Sequence, residues 1–420
     1  MLRVLKSIGP AIIVTAVVLG PGSILTSSKV GASFGLSALA VVAGSAVLMI
    51  AMVALAARLG VVYEKSLCTE LADRLGRPVS VLIGGVLFTL VALFQSSNNI
   101  ALIGGLEPML GDDTLGDGAR TGILMAVNFL IIYCLYSFRN LYSFIERVMK
   151  VLVGIMILAF LANMIVVFSS PRSYVPVISE DSHEWLPLLA MIGTTFSVAG
   201  AFYHAYLVKQ KGWGLHDIQK GVADTVVSIS ILGLLTTVIL LTAWRTFYGH
   251  PSAIVLSSVG DVALQLEPLF GSFAKGIFCI GILAGATSSF LVNAIIGGTV
   301  MSDAIGKGSN LSDATPRHLT TLALVVGMGV AISSLLKEGS VVHLITFAQA
   351  LTVLGIPVLA LALLYLGTRT ELSRERKVPR WILAVASIGF LVSCVLAWMT
   401  ASKVYEKIAY TNGVLNVIAG

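Results

Sequence analysis

A glycine–proline motif lies inside the first hydrophobic segment, where its backbone groups and its hydroxyl could contact an ion. Gly20, Pro21, Gly22 and Ser23 occupy the middle of an apolar stretch between residues 12 and 40. Pro21 has no N–H and clashes with the preceding helical turn, and the glycines allow non-helical angles. Backbone groups freed inside a membrane must be satisfied by protein or by water in a cavity. The motif predicts either a ligand site between two half-helices or a kink that only shapes packing.

A second polar interruption occurs in the sixth hydrophobic segment, five segments later. It places Thr194 and Ser197 beside Ala199 and Gly200, without a proline, and His204 follows about one turn on. Two interrupted helices in corresponding halves of a chain are typical of secondary transporters built from inverted repeats. The pairing therefore favours a transport site over a packing kink.

The third segment carries five consecutive polar residues, from Gln95 through Asn98 to Asn99. Such a run cannot face lipid cheaply, so we expect part of it to line a cavity or to bond another helix. Ser288 and Ser289 in the eighth segment are interpreted as helix–helix packing residues. Lys29, the one cation well inside a segment, could snorkel outward or leave an outer vestibule positive.

Acidic residues are confined to loops and helix ends. Of the 21 Asp and Glu residues, Glu107, Glu146, Asp224 and Glu267 come nearest to a membrane interior. Intramembrane carboxylates usually carry protons or bind bare cations, so their absence from the midplane argues against both roles. No catalytic or nucleotide-binding motif is present, and we expect neither an enzyme nor a cofactor.

The composition identifies a polytopic membrane protein whose natural environment is the lipid bilayer. The 420 residues are 57% hydrophobic and 11% charged, with a mean hydropathy of +0.95. Eleven segments are long enough to span a bilayer: 8–33, 36–60, 79–106, 119–138, 145–169, 186–208, 222–247, 271–300, 317–336, 342–367 and 380–401. Four dispersed cysteines, Cys68, Cys134, Cys279 and Cys394, are interpreted as packing residues.

The loop charges predict the orientation in the membrane. Of 27 Lys and Arg residues, 19 fall on the side of the N-terminus and 8 on the other. Positive residues collect on the cytoplasmic side, so we expect the N-terminus inside and the C-terminus outside a bacterial-type cytoplasmic membrane. The net charge of +6 reflects this asymmetry and does not indicate nucleic-acid binding. Nothing in the sequence indicates an obligate protein partner.

The motifs together resemble the Nramp divalent-metal transporters over essentially the whole chain. The resemblance rests on Gly9-Pro10-Ala11, Gly20-Pro21-Gly22-Ser23 and Gly31-Ala32-Ser33-Phe34-Gly35, followed by Leu55–Gly60, Ser288-Ser289 with Gly297, and Ala348-Gln349 with Pro357. It implies an all-α LeuT-type fold with helices one and six unwound at the midplane. Two inverted five-helix repeats, 8–169 and 186–367, would be followed by an eleventh helix, 380–401, within one transmembrane domain.

The site residues implied by the resemblance depart from the family pattern. Family members bind metal with the Asp and Asn of a DPGN motif and a Met of helix six, which align with Gly20, Ser23 and Ser197. Of the two histidines in helix six, the first aligns with Ala199 and the second is kept as His204. The acid pair of the family's proton route aligns with Gln95 and Asn98, while Gln349 of helix ten is retained.

These substitutions leave hydroxyls, carbonyls and half-helix N-termini at the predicted site. The substrate-binding residues we predict are Gly20, Pro21, Gly22, Ser23, Thr194, Ser197, Ala199, Gly200 and Gln349, with Gln95, Asn98, His204 and Lys29 along a cavity or coupling route; no metal ligand is assigned. Three substrates remain open: a partly hydrated divalent cation, a small anion such as bicarbonate, and a small organic zwitterion. We expect transport of a small ion without protons, and not the usual Mn or Fe import. A sensor or scaffold that no longer transports is the competing class.

Overall fold

The computed structural model describes residues 9–110, 115–138, 140–172, 174–176, 185–250, 256, 259–335, 340–372 and 374–418, although some side chains, including those of 340–352 and 406–418, lie outside the description. The described chain is helical and forms fourteen α-helices, α1 to α14 in order: Ala11–Val18, Pro21–Phe34, Leu39–Val62, Leu67–Leu75, Arg77–Leu110, Asp117–Ser137, Leu141–Ser169, Leu186–Thr195, Val198–Gln210, Ile218–Phe247, Val259–Ala304, Ala314–Leu335, Ser340–Gly367 and Arg380–Ile418.

The predicted membrane segments correspond to these helices. Within the described residues, nine helical stretches are long and apolar enough to cross a membrane. One of them, Pro21–Val62, joins α2 and α3 and so covers half of the first predicted segment and all of the second. With α13 added, the eleven predicted segments are accounted for. The first and sixth predicted segments each form two helices, α1 with α2 and α8 with α9, which confirms that both are broken.

The broken helices lie at the centre of the molecule. Every residue of α1 is buried, and α1 packs against α7, α9, α10 and α11. The outer helices α6 and α14 instead expose large apolar side chains such as Phe129, Leu130 and Trp398. Lipid solvates such apolar surface, whereas the polar groups of the breaks are satisfied only inside the protein. The fold therefore keeps its irregular backbone away from lipid.

Two features of the fold differ from the sequence-based expectation. The connection between the second and third segments contains the amphipathic helix α4, which buries Leu67, Cys68 and Leu71. Cys68 is completely buried in the hydrophobic core, as expected of a packing residue, and burial raises the pKa of its thiol to about 12. A further helical stretch, residues 259–270, precedes the eighth segment, and α11 is broken between the two at Gly271, whose φ of 82° suits glycine.

Candidate functional site

The break in the first segment consists of two residues, Leu19 and Gly20. Leu19 has φ −75° and ψ 41°, and Gly20 is extended, with φ −80° and ψ 179°. We predicted an interruption over Gly20 to Ser23, but Pro21, Gly22 and Ser23 are already helical. Proline suits the first position of a helix, because its φ is fixed near the helical value and the N–H it lacks would be unpaired there. Pro21 therefore starts α2 rather than interrupting it.

The break in the sixth segment lies at Phe196 and Ser197. Their φ and ψ angles, −90° and 64° for Phe196 and −82° and 89° for Ser197, end α8 and start α9. Gly200 is a helical residue of α9. A Cβ at Gly200 would lie 3.2 Å from the Val14 side chain, so the glycine allows α9 to pack closely on α1.

Serine hydroxyls satisfy the carbonyls at the end of α1. Ser288 and Ser289 of α11 donate to the carbonyl oxygens of Ala16 and Val17 over 2.8 and 2.7 Å, and Ser23 donates to that of Val18 over 2.6 Å. The last carbonyls of a helix have no partner within the helix, so these bonds stabilise the break in a medium without water. Ser288 and Ser289 were predicted to pack one helix against another, and they do so by hydrogen-bonding α11 to the end of α1.

A central cavity of about 50 Å³ lies between the two breaks. Its polar lining includes Ser23, Thr194, Ser197 and Asn293, and its other lining residues include Ala199, Gly200 and apolar side chains of α1 and α5. Among the described residues that line it, none is ionisable. A water needs roughly 10–15 Å³ of such space, so the cavity has room for roughly four waters. The arrangement offers neutral oxygen ligands to a small ion.

Asn293 is the polar lining residue that the sequence-based prediction did not include in the site. It lies on α11 four residues after Ser289. Residues four apart lie on one face of a helix, and Ser289 already contacts the end of α1. The four-residue spacing from Ser289 could have indicated that Asn293 belongs to the site, but only if the packing of α11 against the first segment had been known.

Gly20, Pro21 and Gly22 were predicted to form the site but are not among the residues that line the central cavity. Gly20 lies close against α11. A Cβ at this position would overlap the Ser289 hydroxyl and lie 2.9 Å from the Ser289 Cβ. Pro21 and Gly22 line a second cavity on the other side of the first turn of α2. Gln349 lies on α13, and its side chain is outside the described part of the chain.

Gln95 and Asn98 form a buried hydrogen-bond chain rather than part of the central cavity lining. The Gln95 side chain donates to the Phe290 carbonyl over 2.7 Å, and Asn98 donates to the Gln95 side-chain oxygen over 2.7 Å. Both residues are fully buried. The polar run was expected either to line a cavity or to bond another helix. Gln95, supported by Asn98, bonds α5 to α11.

His204 and Lys29 have different surroundings. His204 is completely buried on α9, and within the described residues neither ring nitrogen has a hydrogen-bond partner. Lys29 lies half-buried on α2. Neither residue is among those lining the central cavity.

Two buried aspartates lie far from the breaks, at the membrane face where α1 begins. Asp224 accepts the backbone N–H groups of Gly9 and Ala11 over 2.6 and 2.9 Å. Asp303, which the sequence analysis did not single out, accepts from the Ser66 hydroxyl, the Cys68 N–H and the Tyr206 hydroxyl. Carboxylates favour helix N-termini, and these two hold the starts of α1 and α4. Their hydrogen bonds assign them to structure rather than to the cavity.

The two broken helices around a central cavity define a class of protein, the α-helical membrane transporters of the LeuT type. The chain belongs to the Nramp family, since the family described as natural resistance-associated macrophage protein-like matches residues 11–402. It is accordingly a multi-pass membrane transporter and not an enzyme, as the motif analysis predicted.

Relatives in sequence agree with this family, and solved structures agree with the fold. The divalent metal cation transporter MntH of Verminephrobacter eiseniae is 24% identical over 404 residues, covering 91% of this chain and 85% of that protein. The manganese transporter of Eremococcus coleocola superposes with a TM-score of 0.75 at 18% identity, over 95% of this chain and 87% of that one. MhsT in complex with L-phenylalanine superposes with a TM-score of 0.56 at 16% identity, over 93% and 98% of the two chains.

Proposed function

We propose that the protein transports a divalent metal cation that keeps part of its water shell. Transport would occur without stoichiometric proton movement, and Mn and Fe would be poor substrates. The relatives named above transport divalent metal cations or manganese, which supports a cation as the substrate. The observation that carries the finer proposal is the lining of the central cavity, whose described polar groups are neutral hydroxyls and one amide.

The chemistry of this lining favours a hard, hydrated cation. Transition metals gain from imidazole and sulfur ligands, while Mg²⁺ binds oxygen and keeps several waters. Within the described residues, no group of three or more His, Cys, Asp or Glu side chains could hold a metal ion. Water retained by the ion would supply the ligands that Ser23, Ser197 and Asn293 do not.

Neutral side chains along the expected coupling route support uncoupled transport. Gln95 and Asn98 bear amides that do not exchange protons in the physiological range, and they occupy the places of the acid pair implied by the family resemblance. The carboxylates of Asp224 and Asp303 are engaged by backbone and hydroxyl donors at one membrane face. Among the side chains that the structure describes near the centre, His204 is the one that ordinarily titrates near neutrality, so a proton route through them would have to use it.

The proposal is tested with the purified protein in vesicles that contain a Mg²⁺ dye and a pH dye. We expect saturable Mg²⁺ uptake, no acidification linked to it, and no measurable Mn²⁺ uptake at micromolar concentration. Empty vesicles and His204→Gln serve as controls. Robust saturable Mn²⁺ uptake would refute the proposed selectivity. Acidification linked to Mg²⁺ uptake would refute the absence of proton coupling, and its persistence in His204→Gln would show that the protons do not pass through His204.

A small anion such as bicarbonate remains a second candidate because of the geometry at α9. Ser197 starts α9 beside the cavity, and its side chain makes no capping hydrogen bond to the first turn. The N-terminus of a helix carries partial positive charge and unpaired N–H groups. Uptake of labelled bicarbonate with no Mg²⁺ flux in the same vesicles would favour this candidate.

A further inference from the structure

A second cavity, of about 170 Å³, lies at the membrane face opposite the start of α1. Its lining combines Pro21 and Gly22 of α2 with Glu107 near the end of α5 and Arg120 near the start of α6. By the same measure of space per water, it has room for roughly fourteen waters, compared with roughly four in the central cavity. We refer to it as the outer cavity, after the orientation predicted from the loop charges.

An ion pair forms part of the wall of the outer cavity. The Arg120 Nε donates to Glu107 Oε1 over 2.5 Å, and Arg120 Nη1 lies 3.3 Å from Asp117 Oδ1. The Glu107 and Arg120 side chains are about three-quarters buried, whereas Asp117 is 61% exposed. Partial burial weakens the screening of the pair by water, so the charges interact more strongly there than at an open surface.

Arg120 can leave Glu107 without becoming an unpaired charge, because Asp117 already lies within its reach. Release would leave a carboxylate facing a cavity with room for several waters. Carboxylate oxygens are the hard ligands that Mg²⁺ and Ca²⁺ prefer. A divalent ion carries twice the charge of the guanidinium and can therefore compete with it for Glu107.

We propose that Glu107 is the first binding site for the transported cation and that Arg120 is its built-in competitor. The inference rests on the proposed cation transport, because an anion would bind Arg120 instead. The outer cavity accepts the cation with a full water shell. Pro21 and Gly22 border this cavity while Ser23 borders the central one, so the ion loses waters as it passes the first turn of α2.

Opposite charge removals test the proposal. In the vesicle assay, Glu107→Gln should raise the Mg²⁺ concentration for half-maximal uptake by about tenfold, the equivalent of roughly 1.4 kcal/mol of binding. Arg120→Gln should lower it severalfold, because the competitor is gone. The double variant Glu107→Gln/Arg120→Gln should bind as weakly as Glu107→Gln alone, which shows that Arg120 acts only through Glu107. Calorimetry with Mg²⁺ on the purified proteins measures the Mg²⁺ affinities without transport, and the variants should rank in the same order.

The Lys65–Asp73 pair supplies the matched control, since both side chains are about half exposed and lie at the other membrane face. Asp73→Asn should leave the uptake curve unchanged. A purely structural ion pair would weaken uptake and thermal stability in both single variants, and that result would overturn the proposed outer site, as would no change in either. If Arg120→Gln weakens uptake of the transported ion and Glu107→Gln strengthens it, the substrate is an anion and the proposed function itself is wrong.

Discussion

At the residue scale, the relation between Gly20 and Ser289 explains why this break bears no acidic side chain. The Ser289 hydroxyl fills the space that a side chain at position 20 would need, and it donates to the Val17 carbonyl. Gly20 has φ and ψ values open to any residue, so close approach and not backbone angle requires the glycine. The absence of an acidic side chain at the break therefore depends on two positions, 20 and 289, rather than on one.

This relation determines how a transition-metal site can be built. We expect Gly20→Asp alone to lower the free energy of unfolding by about 1–3 kcal/mol through overpacking, with no gain in Mn²⁺ affinity. The variant Gly20→Asp/Ser23→Asn/Ser197→Met/Ser289→Gly should regain stability and bind Mn²⁺, because it has a carboxylate and a thioether and the space for them.

Thermal unfolding and calorimetry with Mn²⁺ measure both effects, and Ser289→Gly alone is the control for the lost hydrogen bond. Tight Mn²⁺ binding by Gly20→Asp in the presence of Ser289 would contradict the steric argument.

At the scale of elements, α11 supports the break in the first segment. Its serines bond the end of α1, its Asn293 lines the central cavity, and its Gly285 lies against the break. A Cβ at Gly285 would lie only 2.8 Å from the Leu19 carbonyl oxygen. The close approach of two backbones is what brings the serine hydroxyls within hydrogen-bond distance.

Two glycines of α11 provide a matched comparison. Gly285→Ala should lower the free energy of unfolding by about 1–3 kcal/mol, since the added methyl meets a backbone oxygen. Gly276→Ala, on the same helix, meets no atom within 4 Å, and it should leave stability unchanged or raise it by about 0.5–1 kcal/mol through helix propensity. Chemical unfolding in detergent measures the difference, and equal effects in the two variants would contradict the assigned contact.

At the scale of the whole molecule, each membrane face has its own charged groups. Asp224 and Asp303 hold helix starts at the face where α1 begins, while Glu107 and Arg120 border the outer cavity at the opposite face. The two cavities lie between these faces, on either side of the first turn of α2. Function in this arrangement depends on which face meets the cytoplasm.

The loop charges predict that the face with Asp224 is cytoplasmic. In a bacterial host, green fluorescent protein fused before residue 1 should fluoresce, and the same protein fused after residue 420 should not, since it does not fold after export. Alkaline phosphatase fusions should give the reverse pattern. Fluorescence from both fusions would mean that the chain crosses the membrane an even number of times, contrary to the eleven predicted segments.

The sequence by itself determined the class and the fold. Apolar segments of bilayer length have few alternatives to membrane-spanning helices, because backbone groups in lipid must bond internally. The motifs around Pro21 and Ser197 located both breaks within a few residues. Local chemistry suffices for such predictions, since proline and glycine act on their own turn of the chain.

Only the tertiary structure decided how the polar groups are used. Ser288 and Ser289 are far from α1 in sequence, yet they bond its last carbonyls, and Gln95 bonds α11 instead of lining the central cavity. Asn293 lines the central cavity although it was not predicted to, while Gly20 was predicted to line it and instead lies against Ser289. A helix presents a side chain on a face, but the neighbour on that face comes from the packing of distant segments, and the composition of one segment carries no record of it.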